Sequence, residues 1–230
     1  MSFLGVVGEV LITFALLVGL LAGYCLWWTD VVADQAAAVA AEKLRSSWSA
    51  PSQAGASTGG SSRAADAHAR AAGVGFLHVP ALSSQAMPVA EGTGPDVLNK
   101  GLVGMYTSPV VSAMPWDRTG NVTLAAHRDG HGARFHDIHR LKPGDPIVFE
   151  GPTDWYVYRV HSLLPQTAIS NTSVLDAVPH QAGWTRPGRY LTLTTCTPMY
   201  TSKYRYIVFA ELERVQRVDA RRTPPAELRS

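Results

Sequence analysis

From Val10 to Trp28 the chain runs for nineteen residues without a charge and without an amphipathic period. At about 1.5 Å rise per residue, a helix of that length spans roughly 28 Å, close to the hydrocarbon thickness of a bilayer. The run predicts a transmembrane helix over 10–28, preceded by a short tail, 1–9. Trp27 and Trp28 at its end suit the membrane interface, where an aromatic ring keeps its polar edge wet. A cleaved signal peptide is the alternative. It fits less well, because no Lys or Arg precedes the run and no small-x-small site directly follows it, Ala36 to Ala38 serving only weakly. Lipoprotein processing at Cys25 meets bulky Tyr24 where a small residue is expected. The first lysine is Lys43, so only the amino terminus favours an inside N-terminus.

Past the apolar run, residues 29–48 are rich in Ala, Glu, Lys and Leu and predict a helical stalk. Residues 49–73 shift to Ala, Gly and Ser, too poor in large apolar side chains to offset the entropy of ordering them. They are expected to form a flexible linker with an r.m.s. reach of roughly 25 to 30 Å. From Val74 onward short β-branched and aromatic runs alternate with Gly, Pro and Asp punctuation. Predicted strands are 73–80, 121–127, 146–151, 154–165, 189–196 and 205–215. In WYVYRV, Tyr156, Tyr158 and Val160 fall on one face and Trp155, Val157 and Arg159 on the other. Short helical turns are expected at 134–141 and 171–178, the latter capped by Asn171 or Thr172. Many strands with few helices predict a mostly β domain closed into a barrel over 74–217, since closure removes exposed edges. The last residues, 218–230, with two prolines and several charges, are expected to be disordered.

Composition narrows the function. Twenty basic residues against eighteen acidic ones leave a net charge of +2, which is no footprint for nucleic acid. The chain has two cysteines, Cys25 in the apolar run and Cys196, so no disulfide framework is available. A free thiol in a domain outside the cell points to reactivity.

Cysteine attack on a carbonyl needs a thiolate, a proton donor for the leaving group and a positive or hydrogen-bonding group where the oxyanion develops. Cys196 ends one predicted strand, His127 ends another, and Arg205 opens the strand after the cysteine. Strand ends are rigid platforms from which side chains can converge. For unperturbed groups, a thiol near 8.5 and an imidazole near 6.5 favour the neutral pair over the ion pair by about 2.7 kcal/mol. The attacking ion pair is therefore expected in a minority of molecules.

These residues resemble the sortases, cysteine transpeptidases of Gram-positive cell surfaces. The resemblance lies in Thr192, Leu193, Thr194, Thr195 and Cys196, in Arg205 nine positions on, and in the histidine block NVTLAAHRDGHGARFHDIHRLKPGD at 121–145. The His127–Arg128 pair, Gly132 to Phe135 and Leu141 to Asp145 are similar to class E, the actinobacterial housekeeping type. Ala126 replaces the Gly that often precedes the histidine, and Met105 stands where a His commonly precedes the tyrosine at Tyr106.

The resemblance implies an eight-stranded β-barrel on a single-pass membrane anchor, with the active site extracytoplasmic. It assigns Cys196 as nucleophile, His127 as general acid and base, and Arg205 as the group stabilising carbonyl and oxyanion. Thr195 would help order the site and Tyr106 would lie near the substrate groove, both counted with substrate binding. Expected partners are a C-terminal sorting signal of Leu-Ala-x-Thr-Gly type and an amine on a peptidoglycan precursor or lipid-linked acceptor. No cofactor is implied, and no acidic cluster argues for calcium. The connection 165–188 is expected to help form the groove through 170–178.

Other readings differ in what they demand. His127, His131, His136 and His139 are dense enough to suggest zinc, yet their segment must bend from strand to turn to helix, and His131, His136 and His139 are read as solvated or capping residues. In papain-like peptidases the cysteine opens a helix and precedes the histidine, whereas here the histidine comes first. A membrane-tethered binding domain would not need Cys196 at all.

Overall fold

The computed structural model describes residues 3–49 and 73–229; the expected linker lies almost wholly outside them. Eight strands close a barrel in the order β1-β2-β3-β4-β7-β8-β6-β5. They are β1 (Gly75–His78), β2 (Met87–Glu91), β3 (Val103–Met105), β4 (Gly120–Ala125), β5 (Pro146–Glu150), β6 (Asp154–Ala168), β7 (Arg189–Thr197) and β8 (Tyr204–Arg217). The pairs β2/β3 and β4/β7 are parallel and the others antiparallel. β2 and β3 are absent from the strands expected from sequence. The helical turns shrink to 3-10 turns at Ile138–Arg140 and Thr172–Leu175.

Alternation sorts the side chains. Tyr156, Tyr158 and Val160 enter the main core with Leu77, Val122, Leu124, Leu191, Leu193 and Val208, whereas Trp155 and Val157 join Val148 in a separate cluster on the other face. Ile207 and Phe209 turn outward from β8, where Val174, Leu175 and Ala182 of the β6–β7 connection cover them. Trp184 of that connection stacks on Tyr190 at 4.0 Å and fastens it to β7.

Helix α1 runs unbroken from Phe3 to Ser49, so most of the expected 1–9 tail is helical. It carries an apolar stretch of mean hydropathy 2.3, long enough to cross a bilayer, whose large side chains, such as Leu11, Phe14 and Leu20, are exposed. The part read as a stalk lies against the barrel, burying Ala33, Ala37 and Leu44, with Ala37 packed on Val97 and Leu102. Near its end, Trp48 meets Phe76 edge-on at 5.4 Å.

The C-terminal segment corrects the sequence expectation. Residues 218–229 are ordered against the barrel: Arg222 pairs with Glu150 at 3.0 Å, Glu227 accepts from Arg214 at 2.7 Å and Arg159 at 2.9 Å, and Val218 and Leu228 pack beside Trp155. Composition misses this because the segment is held by ion pairs to carboxylates that are nearly covered, not by a core of its own. Glu150, with 2% of its side chain exposed, also takes His78 at 2.9 Å and Arg45 at 3.5 Å.

Candidate active site

Strand parity and register decide which side chains meet. On β4, Val122 and Leu124 point into the core, as does Ala126 just beyond the strand, so Ala125 and then His127 point out. On β7, Leu191 and Leu193 point in, leaving Thr192, Thr194 and Cys196 outward. On β8, Tyr206 and Val208 point in, leaving Arg205 and Ile207 outward. Ala125 pairs with Thr194 in the parallel β4/β7 ladder, and Cys196 pairs with Arg205 in the antiparallel β7/β8 ladder. Two residues beyond Ala125 and Thr194 stand His127 and Cys196. All three candidates share one outer face and line one groove of about 410 Å³.

Tyr106, Thr194 and Thr195 also border that groove, and Ile169, Asn171, Thr172, Val174 and Leu175 form its far wall. That wall falls largely in the segment expected from sequence to contribute. Asn121 holds the wall from beneath, donating from Nδ2 to the Asp176 carbonyl at 3.0 Å while its Oδ1 accepts from Thr192 at 3.0 Å.

Cys196 is partly exposed and is the free cysteine among the residues whose side chains are described. Arg205 donates from one Nη1 to the carbonyls of Ser202 and Tyr204, each at 3.1 Å, which seats the guanidinium at the groove rim. His127 Nε2 donates to Asn99 Oδ1 at 2.8 Å. Partial burial lowers the pKa of His127, and the nearby His131 ring, 5.2 Å away between centroids, lowers it further, against an opposing pull from Asp129. Asp129 also accepts the Tyr200 backbone N–H, tying the loop after β4 to the loop after β7.

Tyr106 is half-buried with its hydroxyl 2.9 Å from Thr194 Oγ1. Burial raises its pKa, only partly offset by that hydrogen bond and by Arg205, so it presents a neutral phenol. Thr195 is buried, and its hydroxyl donates to the Ala126 carbonyl at 2.7 Å. That bond straps β7 to the residue before His127, a positioning contact; the hydroxyl is spent on backbone. Met105 is buried in the core.

Two residues escaped the sequence reading as members of the site. Asn99, just past the short helix α2 (Pro95–Leu98), resembles any turn asparagine, and only the fold brings it to His127. Arg128 is buried: its Nη1 donates to Thr197 Oγ1 at 2.8 Å and reaches the Cys196 carbonyl at 3.5 Å, while its Nε has no partner among the described residues. Its position directly after the histidine was the available signal. Of the other histidines, His136 and His139 are exposed, and His136 Nδ1 bonds the Arg128 carbonyl at 3.0 Å. No group of three or more metal-ligating side chains gathers among the described residues.

Known proteins share this fold. A family model described as Sortase domain matches residues 77–213. Sortase SrtE2 of Streptomyces coelicolor is 52% identical over 225 residues, covering 97% of this chain and 87% of the relative. The crystal structure of sortase E1 from Streptomyces coelicolor with a tripeptide in the active site is similar at a TM-score of 0.64 and 46% identity, covering 68% of this chain and 96% of that one. Sortase E from Streptomyces avermitilis is similar at a TM-score of 0.59 and 37% identity, covering 68% of this chain and 96% of that one. A thiol, an imidazole and a guanidinium on one face of an eight-stranded barrel, joined to these matches along the sequence, place the chain in the sortase family of cysteine transpeptidases, on its class E branch.

Proposed function

We propose that this sortase is anchored by α1 with its barrel outside the membrane. It cleaves a C-terminal Leu-Ala-x-Thr-Gly type signal between Thr and Gly and passes the acyl chain to an amine of a peptidoglycan precursor. The observation that carries the reading is the single groove bordered by Cys196, His127 and Arg205. A related sortase has been solved with a tripeptide in its active site, which supports a peptide in the same position here.

The Cys196 thiolate attacks the Thr carbonyl carbon, and the carbonyl π electrons move to oxygen beside the Arg205 guanidinium. The tetrahedral species collapses, the C–N bond to Gly breaks, and the His127 imidazolium gives its proton to the departing amine. An acceptor amine then attacks the thioester, loses a proton to His127 and expels the Cys196 thiolate. Atoms, charge and the starting protonation state are all recovered.

Two experiments test this. Wild-type enzyme is incubated with Leu-Ala-x-Thr-Gly and Leu-Pro-x-Thr-Gly peptides with and without an amine acceptor. Ligation that depends on the acceptor, with the alanine motif preferred, is expected. Hydrolysis of wall peptides alone would favour a cysteine peptidase, and no turnover a binding domain. The second concerns pH. Because the attacking form needs His127 protonated while Cys196 is not, the pH profile is a bell: activity rises with pH up to the His127 pKa, levels, and falls at alkaline pH as the imidazolium is lost. The plateau is higher when that pKa is higher. His131→Ala removes a like charge, so the acid limb should move to higher pH and the plateau should rise a few fold; a downward move would reverse the assignment.

A further inference from the structure

A 29–48 stalk followed by a loose linker would let the barrel wander and leave the height and tilt of the groove over the membrane undefined. The contacts of α1 say otherwise. Asp30 comes two residues after Trp28, at the end of the uncharged run, and its Oδ1 accepts the Gly132 backbone N–H at 2.8 Å. One turn on, Asp34 pairs with Arg134 at 2.8 Å, and Arg134 Nε donates to the Gly101 carbonyl at 2.8 Å. The fit is close enough to require glycine on both loops. Gly132 has φ +80° and a side chain there would stand 3.3 Å from Asp34 Oδ1; Gly101 has φ +67° and a side chain there would stand 3.0 Å from the Ala33 carbonyl.

Both loops so gripped flank the His127 imidazole. Residue 132 is next to His131, whose ring faces His127, and Gly101 is two residues from Asn99, which bonds His127. The helix then continues along the barrel to its far end, where Arg45 reaches Glu150 and Trp48 lies under Arg222 at 4.6 Å. From Asp30 to Trp48 is eighteen residues, about 27 Å at helical rise. One end of the barrel is therefore held at the level of Asp30 and the other about 27 Å further along the helix.

We propose that the segment Asp30–Ala37 clasps the histidine side of the barrel to the lipid surface, so that the groove opens at the membrane interface and receives substrates held in the same bilayer. The proposal rests on the anchored transpeptidase reading and adds the orientation. A sorting peptide tethered by a membrane-embedded tail and an amine on a lipid headgroup are the substrates that such an orientation serves. The clasp brings the thiolate to the headgroup plane, and membrane confinement raises the effective concentration of all three.

The test uses the full chain in phosphatidylethanolamine and phosphatidylglycerol vesicles containing lipids with a nitroxide on the headgroup. A bimane is attached at His131→Cys or, as the distal control, at Thr153→Cys, each in a Cys25→Ser, Cys196→Ser background. Strong quenching at 131 and little at 153 is expected; equal quenching, or more at 153, overturns the proposal whether or not any peptide is turned over. A second arm compares a sorting peptide carrying a membrane-spanning tail with the same peptide in solution. Asp30→Ala with Asp34→Ala should lower kcat/KM on the tailed peptide on the order of tenfold and leave the soluble one within about twofold. Equal loss on both would mean that these contacts only shape the histidine loop, which also overturns it. If wild type cleaves neither peptide, the functional reading fails, and the quenching measurement alone judges the orientation.

Discussion

Cys196→Ala is expected to abolish acyl transfer, a loss on the order of 10⁴-fold or more, in a protein that unfolds within about 1 kcal/mol of wild type. The two halves of that expectation come from different observations. Cys196 lies on the outer face of β7 and is partly exposed, so shortening it opens no cavity in the barrel core, which Leu191 and Leu193 fill from the opposite face of the strand. The chemistry has no ready substitute, because the hydroxyl groups that share the groove, Tyr106 and Thr194 among them, are far weaker nucleophiles than a thiolate. Single-turnover mass spectrometry with a sorting peptide should show an acyl adduct on wild type and none on the variant. Residual turnover above about a hundredth of wild type would transfer the nucleophile elsewhere.

Arg205→Ala should lower kcat about 10²- to 10³-fold with a much smaller change in KM, the signature of a group used in the transition state more than in the bound substrate. Its register neighbour across the ladder is Cys196 and both line the groove, which supports a guanidinium that meets the developing oxyanion. Lysine in its place keeps the charge but loses the planar fork, and Arg205→Lys should recover only part of the rate. Steady-state kinetics on both variants decides the matter. If KM rises with kcat unchanged, Arg205 binds the peptide and does not stabilise the oxyanion.

How much of this could be read in the sequence varied with the range of the interactions involved. Six strands announced themselves through β-branched and aromatic runs, and the three chemical residues through their places at strand ends. β2 and β3 did not, because Met87–Glu91 contains a proline and Val103–Met105 is only three residues long. Their pairing is parallel and non-local, with no hairpin turn to advertise it. Asn99 and Arg128 were hidden for a similar reason: each matters through a partner far along the chain, His127 at 2.8 Å and Thr197 at 2.8 Å. Thr195 was counted with the substrate groove and borders it, while its hydroxyl is turned to the Ala126 carbonyl. The stalk was legible as helix but not as a surface, since alanines at 33 and 37 look like propensity until a barrel is laid on them.

Glu150 joins parts of the chain that have no sequence neighbourhood in common: β1 through His78, helix α1 through Arg45 and the C-terminal segment through Arg222. Burial alone would raise its pKa, but His78 and the two guanidinium groups outweigh that and hold it below the ordinary carboxylate range. The knot is accordingly at full strength above the unfolded carboxylate pKa and loosens only as pH falls through the lower folded value. Mild acidification leaves α1, barrel and tail fastened together; strong acid removes one charge and frees all three attachments at once.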